Sequence, residues 1–330
     1  MKKNEKGSKL FRFFDYNRDN RVDAVEEDTT PTLKRYFKLL GRKFWKLISL
    51  NLLMLPMILP VLIAAYIYLG FEKTPIENDV LFSTIYGANL IHPSTHSTVL
   101  LDLFGAQLQI PVFNNTLSYV WIGIVLAFLL ITFGWQNVGA SYILRNMVRG
   151  EPVFMFSDYF YAIKRNLKQG FLLGVIDVLM LFFLVFDIFY FQSMPSSFWN
   201  DFCFYTMCAI AIIYFFVRFY MYLMLVTFNI SIRKIFKNSL IFTILGIKRN
   251  LLAVIGIVII TSLNVVLFPI FAITPLGIAI PLILPFLYYL AVTSFTTAYA
   301  AYPVIERYMI EPFAKAEDEE EDALEASDQE

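Results

Sequence analysis

The stretch that decides the fold is residues 202–228, FCFYTMCAIAIIYFFVRFYMYLMLVTF, 27 residues in which Arg218 is the one charge. A helix crossing the roughly 30 Å hydrocarbon layer of a bilayer needs about 20 mostly apolar residues. Five further stretches meet that requirement: 44–69, 118–143, 171–191, 251–273 and 276–302. The first of them follows a long polar segment and lacks a small-residue cleavage site, so it reads as a retained span and not as a signal peptide. None alternates apolar with polar residues, which argues against a membrane β-barrel. Composition points the same way. Of the 330 residues 58% are hydrophobic and 16% charged, against about 45–50% and 25% in soluble domains. The expected fold class is all-α: a polytopic membrane protein with six transmembrane helices arranged as three hairpins.

Lys and Arg are retained on the cytoplasmic side of membrane proteins. Of the 27 Lys/Arg, 13 lie within residues 1–46, five separate spans two and three, five separate spans four and five, and two follow span six. Only Lys73 falls on the other side, which predicts that both termini are cytoplasmic. The membrane domain then covers residues 34–312, with an external loop at 71–117 whose apolar part, 99–112, suits the outer leaflet or a cap on the bundle. Residues 1–33 are polar and expected to be disordered, as is the tail 313–330, whose last 14 positions hold nine acids.

Three basic segments lead into the odd-numbered spans: Leu40-Gly-Arg-Lys-Phe-Trp-Lys-Leu, Ala162-Ile-Lys-Arg-Asn-Leu-Lys-Gln and Gly246-Ile-Lys-Arg-Asn-Leu-Leu-Ala. The last two share Ile-Lys-Arg-Asn-Leu, and each follows an aromatic or apolar run. This predicts an internal repeat, with amphipathic helices at about 32–46, 157–169 and 232–249 lying in the cytosolic headgroup layer. Lys43, Lys46, Lys164, Arg165, Asn166, Lys248, Arg249 and Asn250 are the residues expected to meet headgroups or a partner. Boundary composition alone also favours such residues.

Residues 46–56, KLISLNLLMLP, resemble the "NLLW…LP" opening of the YesL-like membrane proteins, a family of unknown function common in Gram-positive bacteria. Arg149-Gly-Glu-Pro and the run from Asp158 to Gly170 look like that family's central signature, and Ala298-Tyr-Ala-Ala-Tyr-Pro like its ending. Met54 departs from the pattern, standing where an aromatic is usual. The resemblance implies a bacterial plasma membrane and association with carbohydrate uptake or sensing, through an ABC-type sugar transporter or a sensor kinase. It supplies no catalytic residue.

Charges within spans are the natural functional candidates, each costing about 2.5–3.5 kcal/mol at mid-bilayer on insertion scales. They are Asp177 and Asp187 in span three and Arg218 in span four. At 1.5 Å per residue, Arg218 is offset by about 6 Å from Asp177 and about 9 Å from Asp187. Arg218–Asp177 is thus the expected pair, either locking the hairpin or serving a solute or proton path. Pro56, Pro60, Pro269, Pro275, Pro281 and Pro285 interrupt spans one, five and six, as kinks or as broken helices that bind substrate.

The remaining motifs are weaker. His92 and His96 have a zinc-helix spacing but sit around Pro93 with no third ligand. Cys203 and Cys208 are five apart and read as packing residues. Asp15, Asn17, Asp19, Asp23 and Glu26 fall at positions 1, 3, 5, 9 and 12 of a calcium loop. Position 6 is Asn20 rather than Gly, no paired loop follows, and acid-rich linkers produce such matches by chance. No phosphate-binding loop, nucleophile elbow or zincin helix occurs, and the basic residues border lipid instead of forming a nucleic-acid patch. The expectation is a non-enzymatic accessory or regulatory membrane protein needing no cofactor. The alternative is a small secondary transporter or permease using Asp177, Asp187 and Arg218.

Overall fold

The structure, a computed structural model, describes residues 30–68, 116–271 and 275–312. Every regular element among them is helical: α1 (Leu33–Arg42), α2 (Phe44–Met54), a 3-10 turn (Leu55–Met57), α3 (Leu59–Tyr68), α4 (Thr116–Arg149), α5 (Met155–Arg165), α6 (Leu167–Ser193), α7 (Phe198–Thr227), α8 (Ile232–Leu245), α9 (Ile247–Phe271) and α10 (Pro275–Ile305) with a π turn at Glu306–Ile310. Five stretches are long and apolar enough to cross a membrane: Tyr119–Arg149, Leu167–Ser193, Phe198–Thr227, Ile247–Leu267 and Ile283–Ile310. A sixth exists if Phe44–Met57 and Leu59–Tyr66 are counted as one broken span.

The chain divides into two compact units, Met57–Leu129 and the remainder, Met1–Pro56 with Leu130–Glu330. In the smaller, the described residues are α3 and the first turns of α4, whose Val61, Leu62, Ile63, Val120, Trp121 and Ile124 are exposed. Exposed apolar side chains on so hydrophobic a helix are what a lipid environment calls for.

The larger unit is built around α7, which packs against α6, α8 and α10; α9 packs on α10, and α10 on α2. From Phe219 to Val226 every residue of α7 is buried, so this helix is apolar all round because it has protein on every side. Helices α4 and α6 meet through glycine. A Cβ on Gly134 would collide with the backbone of Gly170 and Gly174, and one on Gly174 with the backbone of Gly134. Gly170-x-x-x-Gly174 is the small-residue spacing that lets membrane helices approach backbone to backbone.

Each of the three basic segments is a helix, a one-residue corner and a second helix. The corners are Lys43, Asn166 and Gly246, with φ/ψ of −100/12°, −113/24° and −92/12°. All three lie in the sparsely allowed bridge region. The expected headgroup helices therefore stop short of their expected ends, at Arg42, Arg165 and Leu245. The shared pentapeptide sits differently at its two sites: at 163–167 it straddles the corner, whereas at 247–251 it lies wholly beyond one. Gly246 is required by space: a Cβ there would strike the Tyr220 hydroxyl, which donates to Asn250 Oδ1 at 2.7 Å.

Helix ends on this side are closed by specific bonds. Arg149-Gly150-Glu151-Pro152 ends α4 as a Schellman turn, with Gly150 at φ 80°, Gly150 N donating to Met147 O and Glu151 N to Asn146 O. Arg35 Nη2 donates to Val148 O at 2.8 Å and Arg145 Nη1 to Val226 O at 2.7 Å, so two guanidiniums satisfy last-turn carbonyls of α4 and α7. Tyr36 stacks on Phe295 and bonds Thr296 Oγ1 at 2.8 Å, pinning α1 to α10.

Among the described prolines, only Pro56 breaks a helix; α9 runs on through Pro269, and α10 starts at Pro275 and continues through Pro281 and Pro285. Pro60 and Pro275 sit in first helical turns, where a missing N–H costs nothing. Beyond Pro285 a side chain enters the α10 ladder. The Asn51 amide, fully buried on α2, donates to Phe286 O at 2.6 Å and accepts from Ala291 N at 2.9 Å.

Candidate functional site

Tyr214, Arg218 and Tyr222 follow one another at four-residue intervals on α7, which places them on one face of the helix. All three reach Asp177 on α6, whose side chain is fully buried. Arg218 Nε donates to Asp177 Oδ1 at 2.9 Å and to Oδ2 at 3.2 Å. The Tyr214 hydroxyl donates to Oδ1 at 2.8 Å and the Tyr222 hydroxyl to Oδ2 at 2.9 Å. Four donor contacts fill the lone-pair positions that a carboxylate offers. Phe133 of α4 closes the far side, with the Arg218 guanidinium 5.8 Å from its ring centre.

So organised, both carboxylate oxygens of Asp177 on α6 are bonded to side chains of α7. Arg218 is different. Its Nε is engaged, but its two terminal amino groups donate to no acceptor among the described residues, and 26% of its side-chain surface stays accessible. That surface lines a cavity of about 270 Å³ between α2, α4, α7, α9 and α10. Ser141, Tyr289, Thr293, Ser294 and Thr297 add hydroxyls to its wall. Thr293 and Thr297 donate their protons to Tyr289 O and Ser294 O at 2.7 and 2.8 Å, which leaves their oxygens as acceptors.

Asp187 is not part of this cluster. It lies half-buried ten residues farther along α6 and makes no hydrogen bond or ion pair among the described residues. The expected contact residues at the basic corners divide into two groups. Lys164, Arg165 and Lys248 are exposed, Lys46, Asn166 and Arg249 intermediate, whereas Lys43 and Asn250 are wholly buried and structural in this conformation. Lys164, Arg165 and Lys168, with Asn166, Gln169 and Asn229, line a groove of about 570 Å³ beside the end of α7. On the helices outside the spans, burial pushes the phenols of Tyr36 and Tyr159 up.

Cys203 and Cys208 are free and partly buried. Among the described residues no group of three or more His, Cys, Asp or Glu is placed to hold a metal. His92, His96 and the calcium-loop candidates Asp15, Asn17, Asp19, Asp23 and Glu26 lie outside the described residues.

The sequence reading missed Tyr214 and Tyr222, although both stand one helical turn from Arg218. It also missed Gly170-x-x-x-Gly174, whose spacing is a known membrane-helix signal, and Asn51, a lone polar residue in an apolar run that nothing local distinguishes.

Residues 115–188 match the model of a protein family described as "Protein of unknown function, DUF624". The match takes in α4, α5 and most of α6, hence the Schellman turn, the glycine contact and Asp177, but not Arg218. No curated protein and no solved structure matches the chain.

Proposed function

We propose that this chain is a non-enzymatic, six-span bacterial plasma-membrane protein with both termini cytoplasmic, and that it acts as a small transporter or permease. The carrying observation is the hydroxyl-lined cavity of about 270 Å³ beside Arg218, bordered by five helices. Solute sites in secondary transporters lie near the bilayer midplane. Arg218 stands about ten residues from the basic end of α7 (roughly 15 Å at 1.5 Å per residue). The YesL-like resemblance, strongest where α4 turns into α5, supports the bacterial setting, and the excess of Lys and Arg at the α1, α5 and α8 end supports the orientation.

A second reading rests on a different observation. The exposed Lys164, Arg165 and Lys168 rim a groove that suits an acidic surface, as an accessory or regulatory protein docking on a sugar transporter or sensor kinase would use.

Flux through reconstituted proteoliposomes separates the two. The probes are 14C-labelled glycerol, D-glucose, D-gluconate and L-alanine, tested on the parent chain, Ser141→Leu and Lys164→Glu/Arg165→Glu. The transporter reading expects at least one probe to enter faster than into empty vesicles, the Ser141→Leu variant to abolish that entry, and the charge reversal to leave it intact. Entry of no probe, or entry insensitive to Ser141→Leu, counts against it.

A further inference from the structure

We infer that the cavity beside Arg218 takes a neutral, hydroxyl-rich solute of roughly monosaccharide size, a polyol or simple sugar, in preference to an ion. The inference deepens the reading above and rests on the same cavity, but it concerns binding and fails separately from transport.

Charge decides the class. Among the described residues Arg218 is the only charged one lining the cavity, and its charge is already balanced by the fully buried Asp177 at 2.9 Å. The buried guanidiniums of Arg35 and Arg145 are bound elsewhere, to the carbonyls of Val148 and Val226, and do not line it. An anion entering this neutral site would bring an unbalanced charge into a low-dielectric bundle, and a cation would face the guanidinium. The desolvation penalty is several kcal/mol per ion.

Hydrogen bonding then selects among neutral solutes. The wall offers donors from the two terminal amino groups of Arg218 and acceptors from Thr293 and Thr297, whose protons are already given to backbone carbonyls. Ser141 and Ser294 hydroxyls, which make no hydrogen bond to a described residue, can serve as either. A solute that both accepts and donates at several points satisfies such a wall; an apolar one would leave the two terminal amino groups of Arg218 without an acceptor, which is costly. Size fits the class. At about 270 Å³ the cavity falls just below the roughly 300–1,000 Å³ of sites for drug-sized molecules, and it has room for one ring or one short polyol.

Titration calorimetry on the purified full chain tests this with D-glucose, D-sorbitol, D-glucuronate and D-glucosamine, two neutral probes and two charged ones of similar size. At least one neutral probe should bind, with the charged probes about tenfold weaker or worse, because uncompensated charge costs more than 1.4 kcal/mol. Ser141→Leu should abolish binding while melting like the parent. Thr297→Val, which keeps the shape and removes one acceptor, should weaken binding and serves if Ser141→Leu fails to fold. Tighter binding of glucuronate than of glucose would overturn the inference in favour of an anion site. Failure of both neutral probes to bind at 50 mM (on the order of the weakest useful affinities), or unchanged binding by Thr297→Val, would overturn it as well.

Discussion

Replacing Arg218 with alanine is expected to destabilise the bundle by about 3–5 kcal/mol, because it leaves the Asp177 carboxylate buried without its counter-charge. The geometry makes this cost hard to avoid. Asp177 is fully buried on α6, and the two remaining donors, Tyr214 and Tyr222, are neutral hydroxyls on the same α7 face. Among the described residues no other cation is bonded to it, and no lysine lines the adjoining cavity. The opposite manipulation is informative. Removing both charges together, as Asp177→Asn/Arg218→Met, should recover more than half of the loss, since an ion pair replaced by uncharged groups of similar volume is often neutral. The measurement is reversible unfolding in mixed micelles, followed by the four corners of a double-mutant cycle. A coupling energy near zero would mean that the pair is incidental to α6–α7 packing.

Gly174→Leu should be at least as damaging and should abolish the folded state. Overpacking a core normally costs about 1–3 kcal/mol because neighbouring side chains shift. Here there is no side chain to shift. The added Cβ would meet backbone atoms of Gly134, and α4 and α6 would have to separate along the whole contact that ends at Phe133, the residue behind Arg218. Gly123 supplies the control within α4, since nothing lies within 4 Å of a Cβ built there. Gly123→Leu should therefore be expressed and melt like the parent, while Gly174→Leu should be recovered only as aggregate in size-exclusion chromatography. Comparable behaviour of the two variants would refute the backbone-contact account.

Much of this architecture is legible in the residues, and the exceptions have physical reasons. Long apolar runs announce the helices because bilayer thickness sets their length, and Arg218 and Asp177 stand out because charge in such a run is expensive. The break at Pro56 and the continuity through Pro281 and Pro285 could not be told apart by sequence, because a proline in a membrane helix is tolerated or not according to what its neighbours supply. Asn51 shows why: its insertion between Phe286 and Ala291 comes from a residue more than 200 positions away. Lys43 misled for the reverse reason. Its charge marks it as a surface residue, yet it occupies a helix corner and is wholly buried. Arg149-Gly-Glu-Pro stops α4 with a Schellman turn, so that α5 and α6 can turn back against it.

The cavity was the least legible feature, since its wall is assembled from single residues on five helices. Its polar, reachable character is the claim on which the functional account stands, and cysteine alkylation measures it directly. In a chain carrying Cys203→Ser and Cys208→Ser, Ser141→Cys should react with iodoacetamide at least about tenfold faster than Ile259→Cys, an exposed apolar position facing lipid, since only a hydrated thiol readily forms the reactive thiolate. A saturating neutral polyol that binds should slow that reaction. Equal, lipid-like rates at the two positions would contradict the account.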